Sequence, residues 1–140
     1  MFLVQQGRWQ PAVLIKFILI GIDRMENEKV FAMFFAKVYP MLISKAERKG
    51  QTKEEVLEVT AWLTGYSPEI IEALPESETT YGEFFRNAPA LHPNRIFIKG
   101  SICGVKIELI EDPLMQDIRR LDKLVDELAK GKPIEKILRK

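Results

Sequence analysis

The side chains with the chemistry to act on a ligand fall within one stretch of the 140-residue chain: His92, Cys103, Glu108 and Glu111. His92 is the only histidine. An imidazole titrates near neutrality and can serve as general acid or base. Its neighbours Leu91 and Pro93 put it in a turn, where the plainer expectation is an exposed loop residue. Cys103 is the only cysteine. A thiol becomes nucleophilic when a helix N-terminus or a basic neighbour lowers its pKa. Lys99 and Lys106 are near in sequence, but Ile102 and Val105 flank the thiol and predict burial in a strand. Glu108, Glu111 and Asp112 could hold a cation, yet the spacing and glycine of a calcium loop are missing. His92, Cys103, Glu108 and Glu111 therefore stand as candidate ligand-binding residues. No catalytic role is assigned to them, and neither a metal nor another cofactor is expected. There is no G-x-S-x-G elbow, and Gly100 and Gly104 lack the Lys-Ser/Thr of a phosphate loop.

The bulk composition narrows the classes. With 46% hydrophobic and 29% charged residues, the chain is ordinary globular protein. Its length suits one domain with a core that needs no staples. A lone thiol excludes an intrachain disulfide and points to the cytoplasm. A net charge of +1 supplies no field for polyanions, so nucleic acid is not an expected partner. Residues 1–24 differ from the rest. Their apolar run from Ala12 to Ile22 is broken by Lys16 and is too short to span a bilayer. No basic leader or small-residue cleavage site makes it a signal peptide. The composition changes at Arg24/Met25. The expectation is that 1–24 is a non-native upstream extension, with translation starting at Met25, or a disordered or weakly helical tail, and that 25–140 is the globular domain.

Those candidates must be positioned by the surrounding elements. Val30, Phe34, Val38 and Leu42 recur at four-residue steps, which predicts helix over 28–49. Pro40 predicts a break near Tyr39, with regular helix over 40–48. Thr52 and Glu55 form a capping-box pattern, and Gly65 is placed to close the helix that follows. Ser67-Pro68 starts the next helix, with Ile70 and Leu74 expected inward. A short helix over 80–87 turns Phe84 and Phe85 inward. Asn87 to Asn94 reads as a turn-rich connector. Alternating Val105, Ile107 and Leu109 predict a hairpin with strands near 95–99 and 102–110, turning at Gly100-Ser101. Gly104 is then expected at a bulge or a close backbone approach. Asp112 caps the clearest helix, in which Leu114, Ile118, Leu121, Val125 and Leu128 form a heptad-type seam. The seam is expected to pack on the protein's own helices, with a homodimer through this helix as the alternative. Pro133 starts a terminal helix. The fold expected is mainly α, a small orthogonal helical bundle with one short β-hairpin near 95–110.

Residues 52–74 have the outline of a helix-turn-helix, with Ala61, Ile71 and Leu74 at its packing positions. Glu69 and Glu72 lie where phosphates would come, and the second helix has no Lys or Arg. An ordinary αα-corner is the preferred reading.

The order of several strings carries a family resemblance. Ser101-Ile-Cys-Gly104, Ile110-Glu-Asp-Pro-Leu-Met115 and Leu121-Asp-Lys-Leu-Val-Asp-Glu-Leu-Ala-Lys-Gly-Lys132 stand in one half. Val38-Tyr-Pro40, Lys45-Ala-Glu-Arg-Lys-Gly50 and Trp62-Leu-Thr-Gly-Tyr66 stand in the other. Together they resemble the prokaryotic family called domain of unknown function 2200, over about residues 29–140. The resemblance implies a compact, mainly helical bacterial protein. It transfers no catalytic residue, because the family carries no known activity. The function expected is a non-catalytic module binding a protein or small ligand. A DNA-binding regulator through 52–74 and a small enzyme using Cys103 or His92 are the alternatives.

Overall fold

The computed structural model describes residues 25–140; the segment 1–24, read above as an extension, lies outside the described residues. The fold is mainly α with one small hairpin. Helix α1 covers 25–32. It is followed by α2 (Phe35–Glu47), α3 (Lys53–Thr64), α4 (Pro68–Ala73) and α5 (Tyr81–Arg86). Strands β1 (Ser101–Ile102) and β2 (Val105–Lys106) form the hairpin, and α6 (Pro113–Ala129) and α7 (Ile134–Ile137) complete the chain. Single 3-10 turns occupy Leu74–Glu76, Pro93–Phe97 and Ile107–Leu109.

Helix α6 is the centre of the bundle, packed against α2, α3 and α5. Its seam residues Ile118, Leu121, Val125 and Leu128 are buried within the chain, as is Leu124 beside them. The seam is used by the protein's own core, so a homodimer through this helix draws no support from it. Asp112 starts α6 as its pattern requires, its Oδ1 accepting the N–H groups of Leu114 at 2.9 Å and Met115 at 3.1 Å. An aromatic cluster fills the space between α2 and α5. Phe35 and Phe84 have ring centroids 4.4 Å apart, and Phe84 meets Phe85 edge-on at 5.2 Å.

The first helical break falls at Met33-Phe34 and not near Tyr39. Phe34 takes an extended conformation and bridges Thr80. The Phe35 N–H donates to the Thr79 carbonyl at 2.9 Å, and the Tyr81 N–H donates to the Met33 carbonyl at 2.7 Å. These long-range pairs replace helical bonds at that point, while Pro40 is carried inside α2. Pro40 is exposed, and the carbonyl that its ring deprives of a donor is that of Ala36, which is half-buried.

Helix α3 has both arms of its capping box. Thr52 Oγ1 accepts the Glu55 N–H at 3.1 Å, and Glu55 Oε1 accepts the Thr52 N–H at 3.0 Å. Gly65 ends it at φ +81°. In α4 the buried residue is Ile71; Ile70 is exposed and Leu74 is half-buried. A helix of six residues presents little more than one position to a neighbour, and Ile70 is about 100° round from Ile71.

The hairpin exists where expected but turns elsewhere. Ser101 pairs with Lys106 and Ile102 with Val105, so the turn is Cys103-Gly104. Both residues have positive φ, +53° and +77°, as a type I′ turn requires. Gly104 is thus a turn residue. A Cβ there would meet no atom of the described residues within 4 Å, so none of their backbone crowds it. Residues 95–99 are not a strand, because Pro93 starts a 3-10 turn that runs to Phe97. The alternation also ends at Lys106. Ile107 is 1% exposed and Leu109 is 72% exposed. A strand would put both on one face; the 3-10 turn separates them.

Candidate functional site

Residues 88–112 form a clasp of turns and hairpin laid over α3 and α6, and all four sequence candidates lie on it. Its first half is held by the end of α3. The Ala90 N–H donates to the Thr64 carbonyl at 3.1 Å and the His92 N–H to the Leu63 carbonyl at 2.9 Å. These satisfy carbonyls that the helix end leaves free. The approach is close enough that a Cβ on Gly65 would come within 2.8 Å of the Ala90 backbone.

His92 is half-buried, not an exposed loop residue. Its ring stacks on Trp62 with centroids 4.2 Å apart and an interplanar angle of 21°. Nδ1 accepts the Asn94 N–H at 3.1 Å, so the neutral ring carries its proton on Nε2. The His92 carbonyl accepts from Arg95 Nη1 at 3.1 Å. Arg95 Nε donates to Asp117 Oδ1 at 2.9 Å, and Arg120 Nη1 donates to the same oxygen at 2.7 Å. Asp117 and Arg120 are buried, and Arg120 Nε has no hydrogen-bond partner among the described residues.

The second half is fastened at Gly100. Its N–H donates to Glu108 Oε1 at 2.8 Å, and its carbonyl accepts the Ile107 N–H at 3.0 Å. From α6, Lys123 Nζ reaches the Ser101 carbonyl at 3.1 Å and Gln116 Nε2 the Ile107 carbonyl at 3.0 Å. The Gly100 N–H, followed by Glu108's own backbone N–H, holds the Glu108 carboxyl below its ordinary value. A carboxyl depressed in this way supports the clasp above its unfolded pKa and releases it as pH falls through the folded one. The Gly100 amide proton shift is therefore expected to titrate with a midpoint below the ordinary glutamate value of about 4.3, and Glu108→Gln to flatten the curve. A midpoint at or above that value by NMR refutes the link.

Cys103 sits exposed at the hairpin tip, so the buried strand thiol expected from its neighbours is incorrect. Ile102 alone of its flanking residues turns inward, because the turn reverses the chain at the thiol. Glu111 is exposed beside the α6 cap. The four candidates are distributed along the clasp: His92 against Trp62, Glu108 on Gly100, Cys103 at the tip and Glu111 in solvent. Among the described residues, no three His, Cys, Asp or Glu side chains gather to hold a metal ion.

The residues that the clasp does bring together are others: Arg95, Asp117 and Arg120. Part of a signal was present, since Asp117 and Arg120 are charged residues spaced i,i+3 beside the seam positions Ile118 and Leu121. Arg95 gave none, because its partner lies 22 positions away. The clasp also exposes Ile96, Phe97, Val105 and Leu109. The helix-turn-helix outline is occupied differently. Its turn at Gly65 is overlain by Ala90, and α4 has six residues with Glu69 and Glu72 exposed.

Residues 29–139 match the family described as an uncharacterized protein conserved in bacteria, DUF2200. The chain belongs to the DUF2200 family. The match spans the helices from α2 onward, the clasp and α6. A crystal structure of uncharacterized protein SP1917 is 57% identical, with a TM-score of 0.77 over 79% of this chain and 91% of that one. No curated protein matches the chain. Among the described residues of this DUF2200 protein, no helix is long and apolar enough to cross a membrane.

Proposed function

We propose that this DUF2200 chain is a non-catalytic binding module, with the clasp as its docking face for a protein partner. The observation that carries this reading is where the chain exposes apolar surface. Ile96 and Phe97 are each 55% exposed and Leu109 is 72% exposed, with Val105 between them in sequence. Single exposed apolar residues are ordinary; several on one short segment call for a use. The segment is also fastened, through Arg95 at one end and Gly100, Glu108 and Lys123 at the other. A face held in this way loses little conformational freedom on binding, which favours association.

A photo-crosslinking amino acid at Phe97, introduced in the native host, tests the reading. The expected result is one discrete adduct that is absent with the same group at Met41, another exposed apolar site on α2. The adduct is expected to disappear when Leu109→Lys is added. Identical patterns at both positions, or no adduct at Phe97, would remove the clasp as a docking face.

A further inference from the structure

The Arg95–Asp117–Arg120 cluster carries a charge that no ion pair among the described residues compensates. Two guanidiniums share one carboxylate oxygen, so +2 and −1 leave +1. Asp117 is the carboxylate paired with either arginine among the described residues. Both Asp117 and Arg120 are buried. Those two charges cancel, so the excess charge sits at Arg95, whose side chain is 25% exposed and can meet an anion from solvent. One donor is unmet among the described residues: Arg120 Nε is buried and has no acceptor there.

We propose that this cluster is the binding site of a small oxyanion, a carboxylate or a phosphate. Each guanidinium has about five N–H donors. Arg95 commits two groups, Nε to Asp117 and Nη1 to the His92 carbonyl, and Arg120 commits Nη1 to Asp117. The donors left over belong to two planar forks, the geometry that matches oxyanions. Arg95 is also held in place before any ligand arrives. His92, which orients it, is itself fixed by its stack on Trp62 and by the Asn94 N–H. The anion enters from the Arg95 side, because that side chain is 25% exposed and Arg120 only 10%. This site does not rest on the apolar docking face, although Arg95 also fastens the segment that carries that face.

The test follows the Nε–H signals of the arginines by NMR while acetate or inorganic phosphate replaces chloride at constant ionic strength. Arg95 and Arg120 are expected to shift together and saturably, while Arg119, paired with Asp122, stays still. Saturation with acetate alone assigns a carboxylate ligand; saturation with phosphate alone assigns a phosphate. Arg95→Gln is expected to abolish the Arg120 response. Arg95→Lys, which retains the charge and loses the fork, is expected to weaken it by roughly tenfold or more. The unperturbed Arg119 signal reports that each variant is folded. Linear shifts equal for all anions, or a silent Arg120 in the wild type, would overturn the proposal and leave the cluster a structural clamp.

Discussion

Asp117→Ala destabilises the protein by about 3–5 kcal/mol, the effect of leaving buried charge without its partner. Asp117 Oδ1 is the common acceptor for Arg95 and Arg120, so its removal strands two guanidiniums at once. The cluster charge then rises from +1 to +2, with Arg120 buried and Arg95 partly open to solvent. The carboxylate also ties the clasp to α6, since Arg95 belongs to the 3-10 turn Pro93–Phe97 and Asp117 to α6. The loss is therefore expected to appear in two measurements. The urea midpoint falls, and amide exchange quickens from His92 to Ile98 before the rest of the bundle. A triple replacement of Arg95, Asp117 and Arg120 by Met, Leu and Met is expected to restore much of the stability. It removes the charges together, and apolar packing can equal a buried ion cluster. An unfolding free energy for Asp117→Ala within about 1 kcal/mol of wild type would show the cluster to be as weak as a surface pair.

Gly65→Ala is expected to cost about 2–5 kcal/mol. About 1–2 of these arise from placing a Cβ on a left-handed residue, here at φ +81°. The remainder is crowding, about 1–3 kcal/mol for overpacking a fixed contact. The new Cβ would stand 2.8 Å from the N and O of Ala90, backbone atoms that are hydrogen-bonded to the end of α3 or adjacent to that bond. Neither can swing aside like the end of a side chain. Gly50→Ala separates the two contributions. Gly50 has φ +85° but no atom of the described residues within 4 Å of its added Cβ, so it incurs the conformational cost alone. Displacing Ala90 also moves His92, and the Trp62 emission should change in Gly65→Ala and not in Gly50→Ala. Equal destabilisation of the two variants by urea titration would refute the close approach.

The helices were legible from local rules. The capping box at Thr52 and Glu55, the Asp112 cap before Pro113 and the seam from Ile118 to Leu128 all depend on residues a few positions apart. Their chemistry acts within one or two turns, so reading along the chain suffices. The hairpin was legible in place but not in register. Its period-two pattern through Leu109 is broken by a 3-10 turn whose 107 carbonyl is taken by Gln116 from α6. The break at Met33-Phe34 has the same origin, since the partners are Thr79, Thr80 and Tyr81.

The candidate site divides along the same line. The residue types on the clasp, its turns and the family could be read from one dimension. Which side chains meet could not. Cys103, expected inside on the evidence of its apolar neighbours, stands at the exposed tip because two positive φ angles reverse the chain there. His92 lost its exposed-loop reading to the ring of Trp62, thirty positions earlier. The Asp117–Arg120 spacing gave a local hint, but Arg95 had none, for a charge reveals nothing about the distant charge that folding brings beside it. Helix type and cap chemistry are properties of neighbours in sequence. Burial, shared acceptors and uncompensated charge are properties of neighbours in space, and only the tertiary structure supplies those.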